Sequence, residues 1–510
     1  MQIQRNNKII AKNTCILYLR MLFTLTISLF TTRELLRILG IEDYGLYNVV
    51  GGVVLMFGFL NNAMVASSQR FISFALGEGN IKKQNRVFST SILIHLTIAF
   101  VILFLAETIG LWFMNNRMTI PESRLGAANW VYQAAMASFV CQIIQVPFSA
   151  SVIAHEKMNF FALISVLDSI LKLVIVYILD ISNVDKLKLY ALLLFVISFL
   201  SVVLYFIYTK HKFIECHFTP EIDKPLYKEM LNFAGWSFVG NFGFAAKDYG
   251  VNIILNIFCG PVVNAARGIA YQVMNAVNGF VANFQTAMSP QITMRYASGE
   301  VNSMMTLVMN GSRYSFYLLS IIVIPLFIRA EYVLNLWLGD VPEMALQFLR
   351  LTLIMAIVNS MFGPLVTAMQ ATGRIKLFQI VIAIIMLLDL PIAYILLKMN
   401  YAPYSVMFVA IGTAFIGLIA RACLLRRLIK FDIKEFLFKV VFKNIIIAVI
   451  IFISVSLVSQ YIPQSFLGTL IVCFFSIIFS ISLIYILLEK QEKDIVKQFI
   501  RGKIRARTEC

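Results

Sequence analysis

The chain has 510 residues, 60% of them apolar and 14% charged, with a formal net charge of +17 and a mean hydropathy of +0.83. Soluble domains are about half apolar and about a quarter charged, so this composition excludes a soluble protein and places most of the chain in lipid.

The polar, basic start, MQIQRNNKIIAKNT, runs directly into an apolar stretch at 14–36. It lacks the short apolar region and small-residue cleavage site of a removable signal peptide, so the first helix is expected to remain in the protein. Further stretches follow at 45–67, 87–110, 124–150, 160–180 and 188–209, then at 233–258, 265–289, 305–330, 345–370, 375–397 and 403–424. Two more lie at 442–461 and 465–488. Each fits a helix of about twenty residues and is too long and too continuously apolar for a barrel strand. The expected fold class is all-α: a polytopic membrane protein with about 14 transmembrane helices.

The connections carry the charge. With the N-terminus inside, the inner segments hold Lys8, Lys12, Arg70, Lys82, Lys83, Lys157, Lys210, Lys224, Arg295 and Arg374, the run from Arg421 to Lys443, and the tail from Lys490 to Arg507. That makes roughly thirty basic residues inside against fewer than about ten outside, such as Arg37, Arg117 and Arg124, so both termini are expected in the cytoplasm. The net positive charge is thereby explained by topology and anionic lipid headgroups, with no nucleic-acid partner implied. Seven scattered cysteines without a CxxC pair and four histidines without HExxH suggest neither a disulfide framework nor a metal site. No phosphate-cradling glycine loop occurs, and no cofactor is expected.

Two segments recur. Residues 61–80, NNAMVASSQRFISFALGEGN, match 283–302, NFQTAMSPQITMRYASGEVN, at an offset of about 222 residues, and VPFSASVIAHEKMNFF matches GPLVTAMQATGRIKLF at nearly the same offset. The second match aligns Pro147 with Pro364 and Lys157 with Arg374, and farther along Asp168 falls opposite Asp389, within a few residues of the same offset. An offset of six helices makes the halves parallel, related by an axis along the membrane normal. The expected organisation is a lobe at 1–220, a second at 221–430, and two further helices with a basic cytoplasmic tail at 431–510. Such repeats bind substrate between the lobes and expose it alternately to each side.

An ionisable side chain inside a span costs at least about 2.5 kcal/mol, so those present should face a cavity or a partner. The set is Arg20, Asp168, Lys172, Lys247, Asp248, Arg267, Arg313 and Asp389. Arg20, Lys247 and Arg267 have no acidic partner one helical turn away, which leaves them as candidate contacts for an anionic substrate, with pairing between helices as the alternative. Lys172 and Arg313 extend this cationic group. Asp168, Asp248 and Asp389 are candidates for ion coupling or for structural pairs, Asp168 with Lys172 above all, four residues along one helix face. Amides including Asn61, Asn62, Gln133, Asn252, Asn275, Asn278, Asn283 and Gln285 could line a path for hydroxyl groups or bond between helices.

The segments LGIEDYGLYNVVGG (39–52) and FCGPVVNAARGIAYQV (258–273) resemble the polysaccharide-biosynthesis flippases, the O-antigen and capsule repeat-unit exporters of the MATE-like superfamily. That resemblance implies a V-shaped pair of six-helix bundles around a cationic cavity in a bacterial inner membrane. The implied activity is transfer of an undecaprenyl-pyrophosphate-linked oligosaccharide from the cytoplasmic to the periplasmic leaflet. It places Arg20, Lys247 and Arg267 where such proteins carry cavity cations, and it implies a polysaccharide polymerase and a chain-length regulator as partners. Two other readings compete: an ion-coupled drug exporter of the same fold, which needs acidic cavity residues, and a membrane glycosyltransferase or polymerase, which needs a sizeable outer loop. In the flippase reading the protein is a transporter and not an enzyme.

Overall fold

A computed structural model of the chain describes residues 2–55, 58–112, 114, 122–219, 223–338, 341–429, 431–487 and 493. The basic tail from Lys490, Lys493 apart, and the loop bearing Arg117 lie outside the described residues, as do the side chains of Asn61 and Asn62. The described part is all helix and connection, without a strand.

The first half comprises α1 (Gln2–Leu55), α2 (Gly58–Glu78), α3 (Ile81–Leu105, continued by a π-helical turn to Gly110), α4 (Leu125–Ala154), α5 (Met158–Ile181) and α6 (Lys186–Lys212). The second comprises α7 (Lys224–Cys259), α8 (Pro261–Ala297), α9 (Val301–Ile328), a short α10 (Ala330–Leu338), α11 (Ala345–Ser360), α12 (Phe362–Ala371), α13 (Lys376–Leu387), α14 (Asp389–Lys398) and α15 (Ser405–Ile429). A single turn, α16 (Ile433–Phe436), leads into α17 (Lys443–Gln460) and α18 (Phe466–Leu487), both of which pack on α9.

Backbone geometry carries the internal repeat further than the sequence match does. Gly40 breaks α1 at φ +78°, and Gly260 separates α7 from α8 at φ +79°. Gly79 and Gly299 follow α2 and α8 at φ +72° and +82°. These conformations suit glycine, and a left-handed residue just past a helix end is a common terminator. Both pairs stand 220 positions apart, so Gly299 has Gly79 as its structural counterpart, two residues from the Gly77 that sequence alignment assigns it. Glu156 (φ +57°) and Gly373 (φ +74°) mark the same turn of the two halves beyond α4 and α12. Side-chain caps start other helices: Asn80 accepts from the Lys83 N–H, Asp185 from the Leu187 and Lys188 N–H groups, and Asp223 from that of Leu226.

Among the described residues eleven helical spans are long and apolar enough to cross a membrane. The expected spans outside that set are the second, seventh and eighth. The second is interrupted at residues 56 and 57, which are not described. α7 and α8 have 36 and 37 residues, ample length, but carry Lys247, Asp248, Asn252, Arg267, Asn275, Asn278, Asn283 and Gln285. Apolar side chains such as Phe100, Phe104, Ile181, Phe199, Ile257 and Phe474 stand exposed around the outside, where a soluble protein would not tolerate them and lipid would. The chain is a multi-pass membrane protein.

Candidate functional site

The two halves meet at the end that carries the turns 78–80, 155–157, 298–300 and 371–375, here termed the basic end. There α2 packs on both α7 and α8. Gly77 permits the approach: a Cβ on it would lie 2.6 Å from the Met294 carbonyl oxygen and 2.7 Å from the Ala297 Cβ. Arg70 crosses from α2 and donates to two carbonyls at the end of α12, that of Gln370 at 3.1 Å, which also accepts from the Gly373 N–H, and that of Ala371 at 3.3 Å. Its guanidinium lies 4.3 Å from the Phe71 ring centroid and 4.8 Å from that of Phe74. Gly373 makes room, since a Cβ there would sit 2.6 Å from Arg70 Nη2. Gln291 of α8 donates to Glu156 at 2.6 Å. Burial pushes the Glu156 carboxyl above the ordinary carboxylate range, against the downward pull of the Gln291 hydrogen bond and nearby Arg295.

The cross-lobe contacts run from this end to Arg20. Arg20 of α1 donates to Asn283 of α8 at 2.9 Å and to Ser165 at 3.3 Å, with its guanidinium 5.0 Å from the Phe161 ring. All these partners are neutral, Arg20 Nε has none, and no carboxylate pairs with Arg20 among the described residues.

The other two leading cations follow the alternative that the sequence left open, pairing between helices. Lys247 of α7 forms an ion pair with Asp389 of α14 at 2.6 Å, and both side chains are nearly inaccessible, 12% and 2% exposed. Asp389 Oδ1 has no hydrogen-bond partner among the described residues, so Lys247 supplies the compensating charge. Arg267 of α8 reaches back to Asp248 of α7 at 2.7 Å and to Asn252 at 3.3 Å, and stacks 4.2 Å from the Tyr271 ring. Lys172 pairs with Asp168 at 2.8 Å on α5, as their four-residue spacing indicates. Arg313 is buried in α9 beside Asn310 and Tyr314, outside the cavity that follows.

That cavity, of about 390 Å³, opens within the second half between α7, α8, α11, α13 and α15. Lys247 and Asp248 line one wall and the amides Asn275, Asn278, Gln285 and Asn359 another. The lining also includes Arg421 of α15, a residue that the sequence assigns to the basic run after the twelfth span. It is 4% exposed. Its guanidinium lies 4.2 Å from the Phe362 ring centroid, and no hydrogen bond or ion pair holds it among the described residues. Gly417, one turn earlier, leaves the space it fills: a Cβ there would be 2.8 Å from Arg421 Nη1. The signal in the sequence is an arginine eight residues inside the end of an apolar helix, preceded one turn earlier by glycine.

No protein-family model matches the sequence, and no curated protein is recognisably similar to it. Solved structures do match. An outward-facing multidrug resistance MATE family transporter of the MOP superfamily superposes with a TM-score of 0.73 at 14% identity, covering 84% of this chain and 97% of its own. The fold is that of the MATE transporters. A mutant MATE protein superposes with a TM-score of 0.72 at 14% identity over 82% of this chain and 97% of its own. The MATE transporter ClbM in complex with Rb+ gives 0.69 at 16% identity over 84% and 96%. Within that MATE fold, each sequence-proposed carboxylate, Asp168, Asp248 and Asp389, is held by a cation, while Arg20 and Arg421 face neutral groups.

Proposed function

We propose that this chain is a transporter for an anionic, sugar-bearing lipid, of the class of lipid-linked oligosaccharide repeat units of O-antigen or capsule, which it moves between leaflets of a bacterial inner membrane. The observation that carries the reading is the charge balance at the candidate site: the three candidate acids are neutralised internally, while Arg20 and Arg421, one in each half, have no carboxylate partner among the described residues. An anionic lipid-linked sugar supplies the negative charge that such cations lack, and amide groups along α7 and α8 suit sugar hydroxyls. Arg20 and Arg421 would contact the substrate, whereas Lys247 and Arg267 hold α7 against its neighbours. The halves 1–220 and 221–430 would rock against each other about the α2–α7–α8 contact, with 431–510 appended. The lobe contact at the basic end corresponds to a state open toward the periplasm if both termini are cytoplasmic, as the loop charges indicate. A polysaccharide polymerase and a chain-length regulator would then act downstream.

Export of cationic drugs is the competing reading, and a multidrug resistance transporter is among the structural neighbours. A cation exporter needs unneutralised carboxylates in its cavity, so the pairing of Asp248 and Asp389 counts against it. The test is deletion of the gene in its host, with leaflet-resolved assay of lipid-linked repeat units. Stranding of intact units on the cytoplasmic side supports the reading; normal appearance of units in the periplasmic leaflet rejects it.

A further inference from the structure

The cavity of the second half holds a buried cation, Arg421, in its lining. Arg421 is more than nine-tenths buried and has no anionic partner among the described residues, and Gly417 and Phe362 shape its seat from two sides. A buried charge without a partner is costly and persists where a ligand completes it. The same cavity is lined by Asn275 and Asn278, whose side-chain amides offer both donors and acceptors, and Thr413 adds a hydroxyl. Lys247 and Asp248, which share the lining, are already paired with Asp389 and Arg267, so Arg421 is the open positive charge in a lining of paired ions and neutral hydrogen-bonding groups.

We infer that this cavity is a specificity pocket for an acidic sugar, a pyranose ring bearing a carboxylate, with Arg421 pairing the carboxylate and the amides of α8 taking the hydroxyls. The inference rests on the sugar-transport reading and deepens it by naming a charge on the sugar itself, separate from the pyrophosphate. A planar guanidinium forks onto a carboxylate with two parallel hydrogen bonds, which a neutral ring cannot accept in the same way. The cavity volume of about 390 Å³ exceeds what a free halide or phosphate would need, so the ring as well as the charge should count.

The test is calorimetric titration of the purified full-length protein in lipid nanodiscs with glucuronate, glucose and inorganic phosphate. Glucuronate is expected to bind at least about tenfold tighter than either of the others, and Arg421→Gln to weaken it by about tenfold to a hundredfold. Arg421→Lys, which keeps a cation in a cavity of similar shape, should restore part of that loss. Equal binding of glucuronate and glucose overturns the proposal, as does phosphate binding as tight as that of glucuronate or an Arg421→Gln protein that binds glucuronate normally. Because the assay uses a soluble sugar, glucuronate binding through Arg421 in a protein whose deletion leaves repeat-unit transfer intact would sink the flippase reading alone.

Discussion

Arg20 and Lys247 are both cations held inside the membrane by helices of opposite halves, and they differ in what faces them. Lys247 meets a carboxylate from a helix 142 positions along the chain, while Arg20 meets an amide, a hydroxyl and an aromatic face. The difference separates cations that hold helices together from cations that remain available to a ligand, a division that a count of intramembrane charges cannot make. Arg267 falls with Lys247, and Arg421 with Arg20.

Breaking a structural pair should have the largest effect. Asp389→Ala leaves Lys247 buried and uncompensated, and a loss of about 3–5 kcal/mol is expected, read as a lowered thermal unfolding midpoint of the purified protein in detergent. Lys247→Met combined with Asp389→Leu should recover most of it; a double variant as unstable as Asp389→Ala alone would show that the charge pairing is not what the site needs. Arg70→Ala comes next, at about 1–3 kcal/mol for two lost charge-assisted hydrogen bonds. Its readout is conformational: spin labels at Lys82 and Arg374 should report a larger population with the basic end apart.

Glu156 supplies a pH-dependent effect at the same end. Because its carboxyl holds a proton above the ordinary carboxylate range, the closed form binds more protons than the open one across that window. Acidification through the window should therefore favour closure, and the preference should fade as pH rises past the raised value, with Glu156→Gln removing the dependence. The same label pair measures it, and an unchanged distance distribution in both proteins would show that Glu156 does not titrate with closure. The smallest effect belongs to Lys172→Met. Its half-exposed i,i+4 pair with Asp168 should contribute about 0.5 kcal/mol or less.

The helix order, the all-α class and the parallel repeat were legible from apolar stretches and two short matches, because bilayer thickness and the need to satisfy every backbone group leave few alternatives. α7 and α8 were legible even though their polar content keeps them out of the most apolar group, since Phe, Ile and Val still fill their remaining positions. Asp168 and Lys172 could be paired from their spacing, but the partners of charges that meet across helices could not be read. The Lys247–Asp389 pair joins α7 to α14, and the Asp248–Arg267 pair joins α7 to α8 across the turn at Gly260, so local spacing made Lys247 and Arg267 look uncompensated. Arg421 was missed for the opposite reason: it begins a basic run that continues to Lys443, and loop charge masked its place eight residues inside α15, which ends at Ile429.

The central claim, that the open charges receive an anionic lipid-linked sugar, is tested most directly by transport in proteoliposomes containing the purified protein. An undecaprenyl-pyrophosphate-linked oligosaccharide placed in one leaflet should become accessible in the other at a rate that Arg20→Gln and Arg421→Gln each reduce by at least about tenfold, on the scale of one lost charge-assisted contact. The Lys247→Met, Asp389→Leu protein should keep most of that rate. Full activity in both arginine variants, or movement of a cationic dye in place of the lipid-linked sugar, would contradict the account.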